Sequence, residues 1–268
     1  MSWQLGIASG ACTHRPILEV LPSIHAAGVA GVEIGTPPHH FDPRSADEVR
    51  AVRQALDDLS LAAVSIHAPF GAAHELADPD PKRRGCGIEA VLTTAAAIKQ
   101  LGGSLVVVHP SDLERAGQDV EARLSDSLSS LSALAQSCRQ ESVTLVIESP
   151  LPHLIGGHPD EFRWLLDRLD ATVRVCLDTG HTFLGGHWHA FLAVADGRLA
   201  HIHANDNRGH RDDHLPPGDG HIDWSEIART LMAVDFSGWA MLELHCSTHD
   251  PGEFFRRALG QAQRLVGR

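Results

Sequence analysis

The sequence predicts an α/β fold, a (β/α)8 TIM barrel that forms a single domain over residues 1–268. Three observations support this fold class. Eight short apolar runs recur along the chain, segments of helical period separate them, and the length of 268 residues is close to the about 250 residues typical of such barrels. Hydrophobic residues make up 43% of the sequence, which is enough for a sizeable core.

The apolar runs have the composition of strands that are buried on both faces. Each is too short for a helix and lacks regular alternation with polar residues, which is typical of a parallel sheet. The predicted strands span residues 5–8, 31–34, 62–66, 105–108, 145–147, 173–177, 199–202 and 240–242.

The segments between these runs have helical period. Pro16 is suited to open the first helix, which is expected to end near Gly28, and Pro22 inside it is expected to produce a kink. Gly102 and Gly103 provide a C-terminal cap for the third helix. The remaining predicted helices span residues 45–59, 81–101, 124–138, 160–169, 188–194, 224–234 and 253–265.

Alternation of strands and helices implies parallel βαβ units. Eight such units imply closure into a barrel, and an open doubly wound sheet is the competing layout. The polar, glycine- and proline-rich stretch over residues 205–223 is long for a connection between a strand and a helix. Long loops in compact domains are usually functional.

Charge and cysteine usage exclude several classes of protein. The net charge of −12, with histidines neutral, disfavours nucleic acid as a partner because it repels phosphate backbones. Five widely spaced cysteines without a C-x-x-C pair indicate reduced thiols and a cytoplasmic location. No signal-peptide pattern and no run of 18 apolar residues is found, so no membrane span is expected. Whether the chain forms a homo-oligomer stays open.

Potential metal ligands end six successive predicted strands. Because strand C-termini of a parallel barrel share one face, where active sites of this fold lie, these side chains are expected to converge. Three further candidates lie close by, one after the sixth strand and two in the long loop. The six strand-end candidates are His67, His109, Glu148, Asp178, His203 and Glu243, and the other three are His181, Asp212 and His214.

The mixture of carboxylates and imidazoles predicts a divalent-metal site. Converging carboxylates repel each other unless cations lie between them. Imidazole together with carboxylate suits zinc or manganese better than magnesium or calcium. A single histidine or glutamate at a strand end is more often a hydrogen-bonded core residue, but six successive strands make that explanation insufficient.

Other polar residues have less specific positions. His201 precedes His203 by two residues, so it is expected to face the barrel interior and to serve in packing. Glu33 ends the second strand, where it either reaches the site or stays outside it, and His40 is placed at the rim. Arg208, in the long loop, either anchors a substrate hydroxyl or phosphate or belongs to the solvated surface.

Three strings occur together and in this order: DTGHTFLGG, HIHANDN and DDHLPPGDGHIDW. With these motifs the chain resembles the xylose-isomerase-like TIM barrel superfamily, specifically its sugar phosphate isomerase/epimerase and endonuclease IV branch. The resemblance extends over essentially the whole chain and is densest between Glu148 and Glu243.

The resemblance implies one to three divalent ions, zinc or manganese. In isomerase and epimerase members one ion is held by ligands that match Glu148, Asp178, His203 and Glu243. In endonuclease IV members two further zinc ions flank this site. Their ligands match His67 and His109 with the shared Glu148, and His181, Asp212 and His214.

The sequence departs from endonuclease IV at its beginning. The first strand and helix look like those of the isomerase group, and the loop TPPHHFD lacks the Asn-Gln-Arg element that enters DNA in that nuclease. Together with the negative charge, this makes nucleic acid an unexpected partner.

The resemblance therefore implies an isomerase or epimerase that acts on a small carbohydrate: a sugar, a sugar phosphate or a related polyhydroxy ketone. Glu148 and Glu243 would be the catalytic residues, transferring a proton on opposite sides of an enediolate, and His181 and Arg208 would bind substrate hydroxyls. The alternatives are a multi-zinc phosphodiesterase, a metal-dependent keto-sugar dehydratase, and a sugar-binding protein without turnover.

Overall fold

Eight parallel strands close into a barrel in the computed structural model, which describes residues 3–246 and 248–267. Each strand pairs with its neighbours in sequence, and the last strand pairs with the first. The strands are β1 (Gln4–Ala8), β2 (Gly31–Ile34), β3 (Ala62–His67), β4 (Leu105–Val108), β5 (Thr144–Glu148), β6 (Arg174–Asp178), β7 (Leu199–Ala204) and β8 (Trp239–Leu242). The predicted barrel is confirmed, and the open doubly wound sheet is wrong.

Helices surround the barrel, and the described residues contain nine α-helices. They are α1 (Ile17–Ala27), α2 (Ala46–Asp58), α3 (Pro81–Gln100), α4 (Val120–Gln140), α5 (Pro159–Leu166), α6 (Thr179–Leu184), α7 (Trp188–Val194), α8 (Trp224–Ala233) and α9 (Pro251–Leu265). None of these helices is long and apolar enough to cross a membrane.

The short helix α6 was not predicted from the sequence. It follows β6 directly, and Asp178 caps it by accepting a hydrogen bond from the backbone N–H of His181 at 2.7 Å. A six-residue segment is too short to show helical period, so this helix depends on its cap and its surroundings.

Capping residues also explain where other helices begin. Asp119 accepts a hydrogen bond from the N–H of Ala122, so α4 begins at Val120, earlier than predicted. Asp250 accepts one from the N–H of Glu253, so α9 begins at Pro251. A side-chain oxygen in this position satisfies one of the free N–H groups of the first turn.

Side chains alternate between the two faces of a strand, so residues two positions apart lie on the same face. In this barrel, one such set faces the interior. Val146 and Cys176 are fully buried there in a small apolar cluster that is separate from the main core. Glu148 and Asp178 follow them by two residues and end the same strands. The main core lies between the strands and the surrounding helices. The apolar layer inside the barrel therefore lies directly beneath the charged residues.

The packing of α9 against α1 should depend on one of two adjacent phenylalanines. Phe255 is fully buried, whereas Phe254 is partly exposed and lies near Arg257. Phe255→Ala is expected to lower the free energy of unfolding by about 3–5 kcal/mol because it leaves a core cavity. Phe254→Ala, the matched control, should lower it by about 1 kcal/mol. Urea denaturation followed by circular dichroism measures both, and equal losses would contradict this packing.

Candidate metal centre

The structure brings the nine candidate ligands together at the C-terminal ends of the strands. They form three groups, and within each group the ligand atoms lie within 4.8 Å of one another. Glu148 belongs to two of the groups. The three groups are His67, His109 and Glu148; Glu148, Asp178, His203 and Glu243; and His181, Asp212 and His214.

In the first group, two imidazoles face one carboxylate oxygen. Glu148 is buried, and its Oε2 lies 3.1 Å from Nε2 of His67 and 3.2 Å from Nε2 of His109. The other nitrogen of His67, Nδ1, lies 2.9 Å from the carbonyl of Ala68. A carbonyl only accepts hydrogen bonds, so Nδ1 carries the proton. In the neutral ring, the lone pair of Nε2 then faces a negatively charged carboxylate, and the two repel each other. A proton or a metal cation between them makes the contact favourable.

The third group repeats this arrangement. Oδ2 of Asp212 lies 3.3 Å from Nε2 of His181 and 2.8 Å from Nε2 of His214. Both rings again direct Nδ1 at a backbone carbonyl, that of Ser149 for His181 and that of Glu243 for His214, each at 2.9 Å. Hydrogen bonds behind a histidine that fix its tautomer are typical of metal-binding histidines.

The middle group is the most deeply buried. Nδ1 of His203 lies 3.2 Å from Oε1 of Glu148 and 3.2 Å from Oε2 of Glu243. Neither this nitrogen nor Oε2 of Glu243 has a hydrogen-bond partner within the described residues. Ligands about 2.0–2.2 Å from one zinc ion lie about 3.0–3.5 Å from each other. The donor atoms and their spacing therefore fit a divalent ion.

His40 shows how a buried histidine without this role differs. Its Nδ1 lies 2.6 Å from the carbonyl of Arg15, and its Nε2 lies 3.0 Å from the hydroxyl of Ser9, so both nitrogens have neutral partners. Burial lowers the pKa of His40. The residue is fully buried and supports the loop after β2, so it does not line the rim as expected.

The electrostatics of the site favour additional positive charge. Burial raises the pKa of Asp178 to about 6, against the attraction of His181. Burial also opposes ionisation of Glu148, but the charges of His203 and His109 outweigh it and lower its pKa well below the usual value. Burial lowers the pKa of His109, but Glu148 and Asp112 together outweigh this effect and raise the pKa to about 10. Positive charge on the imidazoles thus balances the carboxylates, and a divalent ion supplies the same charge without those protons.

Glu33 reaches the site from beneath His203. Its Oε1 lies 3.0 Å from Nε2 of His203, while its Oε2 lies 3.0 Å from Nε2 of His201 and accepts a hydrogen bond from the hydroxyl of Ser65 at 2.6 Å. All four residues are buried in the barrel interior. A carboxylate behind a ligating histidine orients the ring and strengthens it as a donor.

Sequence reasoning missed the residue that shapes the long loop. Asp206 is fully buried and accepts hydrogen bonds from the N–H groups of Gly218 and Ile222 and from Nε1 of Trp224. These bonds hold the loop in the form that brings His214 to the site, where His214 adopts a φ of 47°. A non-glycine residue in this region is uncommon and is often found at functional sites. The only signal in the sequence was the polar run HANDN.

A cleft of about 420 Å³ opens above the ligand groups, and we name it the inner cleft. Glu33, His67, His214 and Glu243 line it. Arg208 is exposed and does not contribute to this lining. His181 has partners at both ring nitrogens. The predicted substrate-binding roles of Arg208 and His181 therefore stay predictions.

The chain belongs to the xylose isomerase-like TIM barrel family, because the model of that family matches residues 21–264. The resemblance inferred from the sequence motifs is confirmed. A solved structure described as a D-tagatose 3-epimerase-like protein has a TM-score of 0.86 with this chain, at 20% identity and with 98% of each chain covered. At this identity, the similarity shows a shared fold.

Two relatives illustrate the range of the family. The uncharacterized protein MJ1311 of Methanocaldococcus jannaschii is 22% identical over 213 residues, which cover 76% of this chain and 71% of the relative. A probable endonuclease 4 of Thermoplasma acidophilum is 28% identical over 148 residues, which cover 54% of this chain and 49% of that protein.

The contact between Glu33 and His203 should determine how tightly the middle group binds a metal ion. Glu33→Gln removes the negative charge beneath the ring and is expected to weaken binding about 10- to 100-fold. Competition with a chromophoric chelator measures the affinity, and Glu19→Gln on the exposed face of α1 is the matched control. Unchanged affinity in Glu33→Gln would show that Glu33 serves only in packing.

Proposed function

We propose that the chain is a divalent-metal-dependent isomerase or epimerase that acts on a small keto-sugar or related polyhydroxy ketone. The observation that carries this proposal is the position of Glu243, a carboxylate that borders the inner cleft and also belongs to the middle ligand group. A divalent ion held by Glu148, Asp178, His203 and Glu243 would supply a Lewis acid beside the cleft, and it would acidify the C–H of a hydroxyl-bearing carbon next to a carbonyl. A base beside that C–H then completes the requirements for forming an enediolate.

Glu243 is the group best placed to accept that proton. Its side chain is 21% exposed, and its Oε2, which is itself buried, makes no hydrogen bond within the described residues. A general base must lie within hydrogen-bonding reach of the proton that it removes. A carboxylate that is held by its surroundings and open on one side meets this condition.

Glu148 is the second proton-transfer group in this proposal. It lies as far from Nδ1 of His203 as Glu243 does, 3.2 Å in each case, so both carboxylates border the middle ligand group. Its other oxygen faces His67 and His109. Two carboxylates on either side of one substrate position allow one to take a proton and the other to return it.

Hydrolysis of a phosphodiester is the second candidate function. The presence of three adjacent ligand groups, two of which share Glu148, favours it, because clustered ions can stabilise both the attacking and the leaving oxygen. The similarity to a probable endonuclease 4 points in the same direction. However, no lysine or arginine of the described residues lines the inner cleft, and the net charge is −12. A surface of this charge opposes the approach of DNA, so the isomerase is the better supported function.

Removal of the metal should abolish the proposed reaction. Protein that is purified without chelator is expected to carry about one ion per chain and to catalyse deuterium exchange into a ketose in D2O, because the ion acidifies the C–H. Stripping with a chelator should stop the exchange, and manganese, cobalt or zinc should restore it. Metal analysis by mass spectrometry and NMR measure the two quantities. Three zinc ions per chain together with cleavage of an abasic duplex would favour the phosphodiesterase instead.

Glu243→Gln should separate proton transfer from binding. The amide cannot accept the proton, so the rate of deuterium exchange is expected to fall about 10²- to 10⁴-fold, while ketose binding measured by calorimetry is retained. Glu253→Gln, at an exposed position of α9, is the matched control. Full activity in Glu243→Gln would exclude it as the base. Wild-type protein that binds ketoses without exchange would be a sugar-binding protein.

A further inference from the structure

The inner cleft continues beyond the ligand groups into a second cavity of about 340 Å³. The two cavities meet along Thr36, Pro38, Pro69 and His74, which line both of them. We name the second cavity the outer cleft. It extends between the loop that follows β2 and the side of α3, and its far end is lined by Asp42, Arg44, Cys86, Glu89 and Thr93.

We propose that the outer cleft binds a second, uncharged sugar ring, so that the substrate is a keto-sugar carrying a glycosyl substituent. This inference rests on the proposed function, because it takes the reacting ring to lie at the metal-ligand groups. The inner cleft alone falls within the usual volume of small-molecule sites, about 300–1,000 Å³. The outer cleft therefore provides room for a part of the substrate that does not react.

The charges around both clefts argue against a phosphate or carboxylate on the substrate. The lining of the inner cleft contains two acidic side chains, Glu33 and Glu243, and no lysine or arginine from residues 3–246 and 248–267. Among the described residues that line the outer cleft, Arg44 is the only lysine or arginine, and its side chain is exposed. Its Nε and Nη2 contact the two carboxylate oxygens of Asp42 at 2.8 and 2.9 Å. A two-point contact of this kind uses the geometry with which arginine binds phosphate, so an anionic substituent would lack a free cation.

The groups at the far end of the outer cleft are suited to hydroxyls. Glu89 and Thr93 lie one turn apart on α3, and the hydroxyl of Thr93 donates to the backbone carbonyl of Glu89 at 2.9 Å. The carboxylate of Glu89 is exposed and accepts no hydrogen bond within the described residues. Proline rings, among them Pro38 and Pro43, form the opposite wall. Sugars combine hydroxyls at their edge with apolar C–H faces, so a sugar ring matches both walls.

Cys86 provides a direct probe of this cavity. It is exposed, whereas the other cysteines, Cys12, Cys138, Cys176 and Cys246, are buried. Alkylation of the metal-loaded protein with N-ethylmaleimide should therefore modify Cys86 first, and mass spectrometry measures its rate. Cys86→Ser should remove this reaction and confirm its position. A ligand that occupies the outer cleft will slow the alkylation.

The sugars used as probes differ in the group that they carry on O6 of fructose. Isomaltulose carries glucose on O6 of fructose, and fructose 6-phosphate carries a phosphate on the same oxygen, while fructose carries neither. Leucrose and lactulose, linked through O5 and O4, test other attachment points. At a concentration several times its Kd, at least one disaccharide should occupy the outer cleft in most molecules. It is therefore expected to slow the alkylation of Cys86 about fivefold. Fructose and fructose 6-phosphate should leave the rate unchanged.

Kinetics provide an independent measurement. Two or three hydrogen bonds to the second ring should raise kcat/KM for deuterium exchange about 10- to 100-fold above that of fructose. Glu89→Ala should lower kcat/KM for the preferred disaccharide about tenfold and leave kcat/KM for fructose unchanged. Glu121→Ala, at an exposed position of α4, is the matched control.

The outcomes separate this inference from the proposed function. Exchange of fructose with no protection of Cys86 by any disaccharide would overturn the second-ring site and leave the isomerase intact. Protection by a disaccharide without exchange of any sugar would support the second-ring site and overturn the isomerase. Stronger protection or faster exchange with fructose 6-phosphate would overturn the inference, because it would show that an anionic substituent is preferred.

Discussion

Carboxylates that converge on imidazoles at one end of the barrel are the constraint on which the rest of this structure depends. Burying an unpaired charge costs several kcal/mol, so each carboxylate needs a partner that is held in place. The barrel provides these partners because the ends of its strands lie next to each other. The carboxylates are Glu33, Glu148, Asp178, Asp212 and Glu243, and the imidazoles are His67, His109, His181, His203 and His214.

The groups behind the imidazoles determine what the site can bind. The carbonyls of Ala68, Ser149 and Glu243 hold the protons of three rings on Nδ1 and leave Nε2 facing a carboxylate. His203 has the opposite orientation, with Nε2 near Glu33 and Nδ1 facing the middle group. These contacts are made by backbone carbonyls and buried side chains, so they fix the orientation of each ring. Such preorganisation is the usual basis of selective metal binding.

The same donor atoms are compatible with both candidate reactions, so the surroundings of the site separate them. Three ligand groups suit the chemistry of phosphodiesters, but among the described residues no lysine or arginine lines the inner cleft. The outer cleft has Arg44 in contact with Asp42 and an exposed carboxylate at Glu89. The charges around the two clefts therefore favour the proposed isomerase over the phosphodiesterase.

The sequence by itself determined the order of the elements and the strand ends that carry Glu148, Asp178, His203 and Glu243, because buried parallel strands leave continuous apolar runs. It did not reveal α6 or the start of α4, which depend on single capping residues. Only the tertiary structure decided between a closed barrel and an open sheet, through the pairing of β8 with β1, and which nitrogen of each ring faces the site. Most of these features depend on contacts between residues far apart in the chain, which local patterns do not reveal. The contact of His67 with the adjacent Ala68 is the exception.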